Sequence, residues 1–242
     1  MATATTPSQA PAAADTTIAV LYFDVHANDE GLRVLRKGLA QMLVTDLAGI
    51  EGGRLVERDQ VEAVFVEQRL HASGKVDAKT AARVGKLLGA RLLVLGSVFA
   101  LGSALRLDAR VVDAETGVVV VTAKATARDE DILAAEGALA SALAVGLERY
   151  LALRRPSAGD QMGPHGGLHD RSAPAPKGTA VAKRAPLRRP TKLSRALAER
   201  YARALDAKDR GDKAAARAGL EAVVREEPAF ELAYADLQSL AR

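Results

Sequence analysis

From Arg91 to Ala125 the chain reads RLLVLGSVFALGSALRLDARVVDAETGVVVVTAKA, and this stretch constrains the fold more than any other. The first part, RLLVLGSV, is nearly all apolar, the pattern of a central strand covered on both faces. The next part alternates: Leu105, Leu107, Ala109 and Val111 point one way, and Arg106, Asp108 and Arg110 the other. That is a strand with one buried and one wet face. DAETG follows, with Gly117 placed where a hairpin loop needs a positive φ, and VVVVTAKATA returns. Three consecutive strands joined by tight turns must pair antiparallel.

The rest of the first 153 residues supplies what covers this ribbon. Thr16 to Val25 (TTIAVLYFDV) is an apolar run of β-formers, read as one buried strand. Leu32, Leu35, Leu39, Met42, Leu43 and Leu47 recur at helical spacing, with Asn28 or Asp29 as N-cap and Gly52–Gly53 as terminator. RLVERD reads as a second strand. Asp59 is the expected cap of a helix burying Val61, Val64, Phe65 and Leu70. Asp77 caps another that carries Ala81, Val84, Leu87 and Leu88 and stops at Gly89. A last helix, from about Asp129 to Leu153, buries Ile132, Leu133, Leu139, Leu143 and Leu147. Helices between the early strands imply parallel pairing there, so the expectation is an α/β domain with a mixed five-stranded sheet and flanking helices. Aromatic residues are 3% of the chain, so this core must be built from Ala, Val and Leu.

Beyond this domain the composition changes twice. Residues 155–192 hold six of the nine Pro, with eight Lys+Arg against two Asp+Glu, and read as a linker (154–192) too poor in large apolar residues to fold alone. The net charge of +4 therefore resides in this segment, not on a folded face, and disfavours specific nucleic-acid binding. Residues 193–242 are helical again and carry Tyr201, Leu205, Leu220 and Tyr234 at apolar positions. Residues 1–16 are small and polar and read as a disordered tail. No stretch reaches the roughly 18 apolar residues of a spanning helix.

Two resemblances attach to these segments. The strand ending in Phe23–Asp24, the helix ending LVTDL, the VERDQ strand end and GKLLGARLLVLGSV occur in an order that resembles the CsgG/TolB-N-like superfamily over residues 17–152. That group includes the curli-secretion-channel subunit and FlgO-type flagellar outer-membrane proteins. The resemblance implies a bacterial envelope domain that acts through protein contacts with envelope components and often self-associates, so a homo-oligomer is among the expected assemblies. Apart from the resemblance, the Lys and Arg of the linker allow weak, salt-sensitive peripheral contact with anionic lipid. The location implied is periplasmic or outer-membrane-associated, with a signal sequence missing or removed. The alternative is a cytoplasmic regulatory or ligand-sensing module. The curli channel carries long amphipathic hairpins and a lipidated Cys; this chain has short loops and no Cys, so a pore does not carry over. Tyr201, Ala204, Leu205, Gly211, Asp212, Ala215, Leu220, Pro228, Ala233 and Tyr234 are similar to the packing positions of one tetratricopeptide repeat.

Catalytic signatures are missing: there is no GxGxxG, GxxxxGK[ST], GxSxG or HExxH. His165 and His169 sit beside Gly and Pro, a poor setting for a helical metal pair. His26 and His71 lie singly near element ends. Asp113 and Glu115 are explained by the hairpin, since Asp at a turn start accepts from its own backbone. No enzyme, cofactor or metal site is expected. The contact residues expected are Arg106, Asp108 and Arg110 on the wet strand face and Tyr201, Leu205, Leu220 and Tyr234 in the tail, which is expected to dock on a partner or on the chain's own first domain. Asp24 is the candidate ligand-facing carboxylate, because strand carboxyl ends collect ligands in α/β sheets.

Overall fold

The order of elements in the computed structural model follows the apolar spacing closely. It describes residues 15–26, 29–68, 78–128, 131–154 and 193–241. The first lobe contains β1 (Thr16–Val20), β2 (Asp24–His26), α1 (Glu30–Leu47), β3 (Gly53–Leu55), α2 (Arg58–Glu67), α3 (Ala78–Leu88), β4 (Leu92–Leu101), β5 (Ala104–Asp113), β6 (Val119–Arg128) and α4 (Ile132–Arg154). The tail contains α5 (Arg195–Asp209), α6 (Lys213–Glu226) and α7 (Glu231–Ser239). The expected linker, with His165 and His169, lies outside the described residues, as do His71, Leu70 and Asp77.

The sheet runs β3-β1-β4-β5-β6, parallel where helices connect the strands and antiparallel across the two hairpins. It has six strands rather than five because the expected first strand is split. Val20 pairs with Val94 and Asp24 with Ser97, so three residues on one side oppose two on the other. The extra residue forms a bulge. Phe23 lies there fully buried over Gly96, where an added Cβ would come within 2.2 Å of the ring. A Gly in β4 is therefore what lets the large aromatic ring cross the sheet.

Local chemistry agrees with the sequence at most ends. Asp29 caps α1 by accepting from the Leu32 amide at 3.2 Å. Gly117, at φ 71°, closes the β5–β6 hairpin with its amide on the Asp113 carbonyl. The buried Asp113 carboxylate accepts from the Glu115 and Thr116 amides and from Arg91 Nε at 2.9 Å. Burial would raise its pKa, but these bonds outweigh it and hold the carboxyl below its usual range. Two assignments need correction. The residue before α2 is Glu57, and Asp59 is in the first turn beside Arg58, 2.5 Å away, instead of capping. Leu87, expected on the apolar face of α3, is 43% exposed, because that helix buries Val84 and Leu88 instead.

The core is mainly aliphatic, with Phe23, Phe65, Tyr201 and Phe230 set into it, and is continuous from the sheet into the tail. Register puts Leu105, Leu107, Ala109 and Val111 on one sheet face, where α4 packs beside α1. α3 covers the other face only at its Leu93 end, where Gly85 nestles against Ala114 and Leu93. On the far side of α1, α5 packs along it, with Gly38 facing Ala202 and Tyr201.

Candidate functional site: an open sheet trough and a buried charge seam

The part of the sheet that α3 leaves uncovered forms a trough of about 470 Å³. Strand register builds it in rows. Asp24, Ser97, Asp108 and Lys124 stand side by side across β2, β4, β5 and β6, and Leu95, Arg110 and Thr122 form the next row. A third row brings His26, Phe99 and Arg106 together, and His26 stacks on Phe99 with ring centres 4.7 Å apart. Arg106 Nε reaches both Asp108 oxygens at 3.0 Å. Asp24, Asp108 and Arg110, singled out separately in the sequence, thus line one surface, with Arg106 bonded to it. Lys124, Thr122 and Ser97 were not singled out. Only the hairpin register, which the turn residues set, could have revealed them. Both charge signs, two hydroxyls and an aliphatic floor suit recognition of polar and backbone groups. Among the described residues, no group of three or more His, Asp or Glu converges to hold a metal ion.

Tyr22 forms the inner wall and belongs to a second cluster. Its hydroxyl donates to Glu62 on α2 and accepts from Arg58 Nη1 at 3.1 Å. Burial pushes this phenol above its ordinary range; Arg58 opposes that rise and Glu62 adds to it. Arg58, fully buried, then grips Asp209 of the tail with two bonds of 2.9 and 2.7 Å. Lys37 on α1 donates to Glu62 at 3.1 Å, to Asp206 at 2.9 Å and to Asp209 at 2.8 Å. Lys208 reaches back to Asp59 at 3.1 Å. Burial would raise the Asp209 pKa, yet Arg58 and Lys37 hold it below the usual carboxylate range. Burial alone would lower the Arg58 pKa, but its bonds to Asp209 raise it, so it stays cationic. At the other end of α5, Arg195 donates to Asp29, the α1 cap.

The tail residues expected as contacts fall elsewhere. Tyr201, Leu205 and Leu220 are buried where α5 packs with α6 and α1, and the Tyr201 hydroxyl donates to Asp236 of α7 at 2.6 Å. Side chains already covered by their own chain offer no free surface. Tyr234 alone of the four is exposed, at 51%. The sequence reading missed Lys37, Arg58, Glu62 and Asp209, because charged residues on helices read as solvated until a second helix is laid over them.

The family model described as "Curli production assembly/transport component CsgG" matches residues 3–106. The resemblance read from the motifs holds over this segment. No curated protein matches the chain. Among solved structures, the chain is similar to the LpoB C-terminal domain from Salmonella enterica at 16% identity, covering 49% of this chain and 87% of that one, with a TM-score of 0.32. Lipoprotein GNA1162 from Neisseria meningitidis is 18% identical over 47% of this chain and 80% of its own, with a TM-score of 0.36. A PelC dodecamer from Paraburkholderia phytofirmans is 17% identical over 60% and 95%, with a TM-score of 0.34. Among the described residues no helix is long and apolar enough to cross a membrane.

Proposed function

We propose that the chain is a non-enzymatic accessory of assembly or secretion in the bacterial cell envelope, periplasmic or outer-membrane-associated, that works by binding other envelope proteins. The CsgG match over residues 3–106 is the observation that carries this reading. The trough is its contact face: rows of Asp24, Ser97, Asp108 and Lys124 present charges of both signs and hydroxyls to a partner's polar groups. Mixed charge at a rim gives partner choice and association rate more than raw affinity. The tail, in this reading, acts as a fixed brace on α1, and its resemblance to a tetratricopeptide repeat contributes only the exposed side bearing Tyr234.

A photo-activated cross-linker at Thr122, inside the trough, tests the proposal in cells. The expected outcome is one dominant adduct with an envelope protein, lost in an Asp108→Lys background. A native protein found wholly in cytosol, or a Thr122 probe that captures nothing while a control probe at Glu221 behaves alike, overturns it. The second reading, a cytoplasmic ligand-sensing module, has the trough's volume in its favour, since about 300–1,000 Å³ is the range of small-molecule sites. Cytosolic location together with a small molecule that raises the melting temperature, and loses that effect in Asp24→Ala, would favour it.

A further inference from the structure

The open face of the sheet carries charge unevenly. Its rows hold Arg106, Arg110, Lys124 and Arg128 against Asp24 and Asp108, so cations exceed carboxylates by two. Residues 1–154 as a whole run the other way, with 17 Lys+Arg against 19 Asp+Glu. Within the face, Arg106 Nε is engaged by both Asp108 oxygens at 3.0 Å. Arg110 and Lys124 are exposed, and no carboxylate of the described residues pairs with either. Register makes these two neighbours: Arg110 opposes Thr122, and Lys124 is the next residue of β6 on the same face. Diagonal neighbours of this kind stand about 7–8 Å apart, within reach of long side chains. A guanidinium and an ammonium therefore converge on one place in the trough, beside the Thr122 hydroxyl, where Leu95, Gly96 and Ala123 complete the lining.

We propose that Arg110 and Lys124 form a subsite for one carboxylate, the side chain of an Asp or Glu on an otherwise apolar segment of a partner protein. This rests on the reading of the trough as a contact face. The donor set selects the anion. Backbone amides of β4, β5 and β6 belong to the ladders between these strands, so only side chains are left to bind it. One Arg fork, one ammonium and one hydroxyl match the two oxygens and single charge of a carboxylate better than the larger, more highly charged phosphate. The open setting selects the source. Exposed ion pairs are screened by water, so a free acid gains little there, whereas a protein laid over the trough excludes water and strengthens the same pair. Leu95 and Ala123 then meet the apolar neighbours of the acidic residue. The adjacent row, with Asp24 and Asp108, has the opposite sign, so a segment lying across both rows is fixed in direction.

Two blocked peptides, Ser-Leu-Glu-Leu-Ser and its Gln counterpart, titrated into the full chain and followed by nuclear magnetic resonance, test the subsite. The Glu peptide should shift the side-chain signals of Arg110 and Lys124 saturably and bind about tenfold tighter than the Gln peptide. The preference should vanish in Arg110→Gln with Lys124→Gln, at unchanged circular dichroism, and should survive the charge-preserving exchange Arg110→Lys with Lys124→Arg. It should also shrink as salt rises. Equal binding of the two peptides, or binding of neither, overturns the proposal. Glutarate binding as tightly as the Glu peptide overturns the protein source, since the site would then take a free acid. In cells, the Thr122 cross-link should largely disappear in the double Gln variant. An undiminished adduct there would leave the contact face standing and remove the acidic subsite. No adduct in the unmodified chain would remove the contact face itself, with the peptides still deciding whether Arg110 and Lys124 select a carboxylate.

Discussion

Arg106 and Asp108 lie 3.0 Å apart on the trough face, and Arg58 and Asp209 lie 2.7 Å apart beneath the tail, yet the two pairs do different work. The first pair is largely in water, its side chains 45% and 34% exposed. Water screens it, so it is worth about 0–1 kcal/mol and remains free to exchange its bonds for those of a partner. The second is out of water and bidentate, and its members share further bonds with Lys37, Tyr22 and Asp59. Such a cluster adds little net stability over an apolar seam, but removing one member strands the others. The same residue types thus make a contact surface in one place and a lock in the other. Burial decides which.

The largest effect expected from this contrast is at the lock. Arg58→Met leaves Asp209 buried with only Lys37 as cation, and should cost about 3–5 kcal/mol in urea unfolding. Proteolysis should then reach α5 to α7 first. Adding Asp209→Leu to Arg58→Met should recover part of the loss, because an apolar pair replaces a stranded charge. A double variant whose loss equals the sum of the losses of the single variants would mean that the two residues do not act as a pair.

A smaller effect follows from acidity. Asp209 has a depressed folded pKa, so its contribution is fully present above the unfolded carboxylate value and is lost as pH falls through the folded one, below the ordinary range of about 4. Asp236 has the opposite sign. Burial raises it, against the Tyr201 hydrogen bond and Lys208, so its contribution is greatest below the unfolded value and is lost as pH rises through the folded one. Urea midpoints against pH should therefore drop in strong acid for the unmodified chain, and the drop should shrink in Asp209→Asn. An unchanged acid limb in that variant would place the titrating group elsewhere.

The smallest effect is at the surface. Arg106→Gln or Asp108→Asn should change unfolding free energy by less than about 1 kcal/mol. Cross-linking at Thr122 should change with Asp108→Asn. A large loss of stability would show that the trough is a structural element instead of a contact face.

The sequence conveyed much of the scaffold and little of the lock. Alternation at Leu105–Val111 and the Gly117 turn specify β5 and the hairpin because they are local, with period two and a positive φ. The α1 cap at Asp29 is equally local. The trough was half legible: Asp24, Asp108 and Arg110 stood out by their positions, whereas Ser97 and Lys124 join them only through register. The break in the first strand was not legible, because Leu21 to Phe23 are as apolar as the strand they interrupt. The seam was invisible for a different reason. Lys37 and Asp209 are 172 residues apart in sequence, and each reads as an ordinary polar-face residue of its own helix. Tyr201, Leu205 and Leu220 read correctly as apolar anchors, but nothing local distinguishes an anchor for the chain's own α1 from one for a partner.

The central claim is that α5 to α7 and the α/β lobe form one cooperative unit, locked by Arg58 and Lys37 on Asp209. Native-state hydrogen exchange across urea concentrations tests it most directly. The amides of α1 near Lys37 and those of α5 near Asp209 should merge into one unfolding isotherm in the unmodified chain and separate in Arg58→Met, with α5 opening first. Tail amides that already exchange at a much lower free energy than α1 in the unmodified chain would contradict the claim.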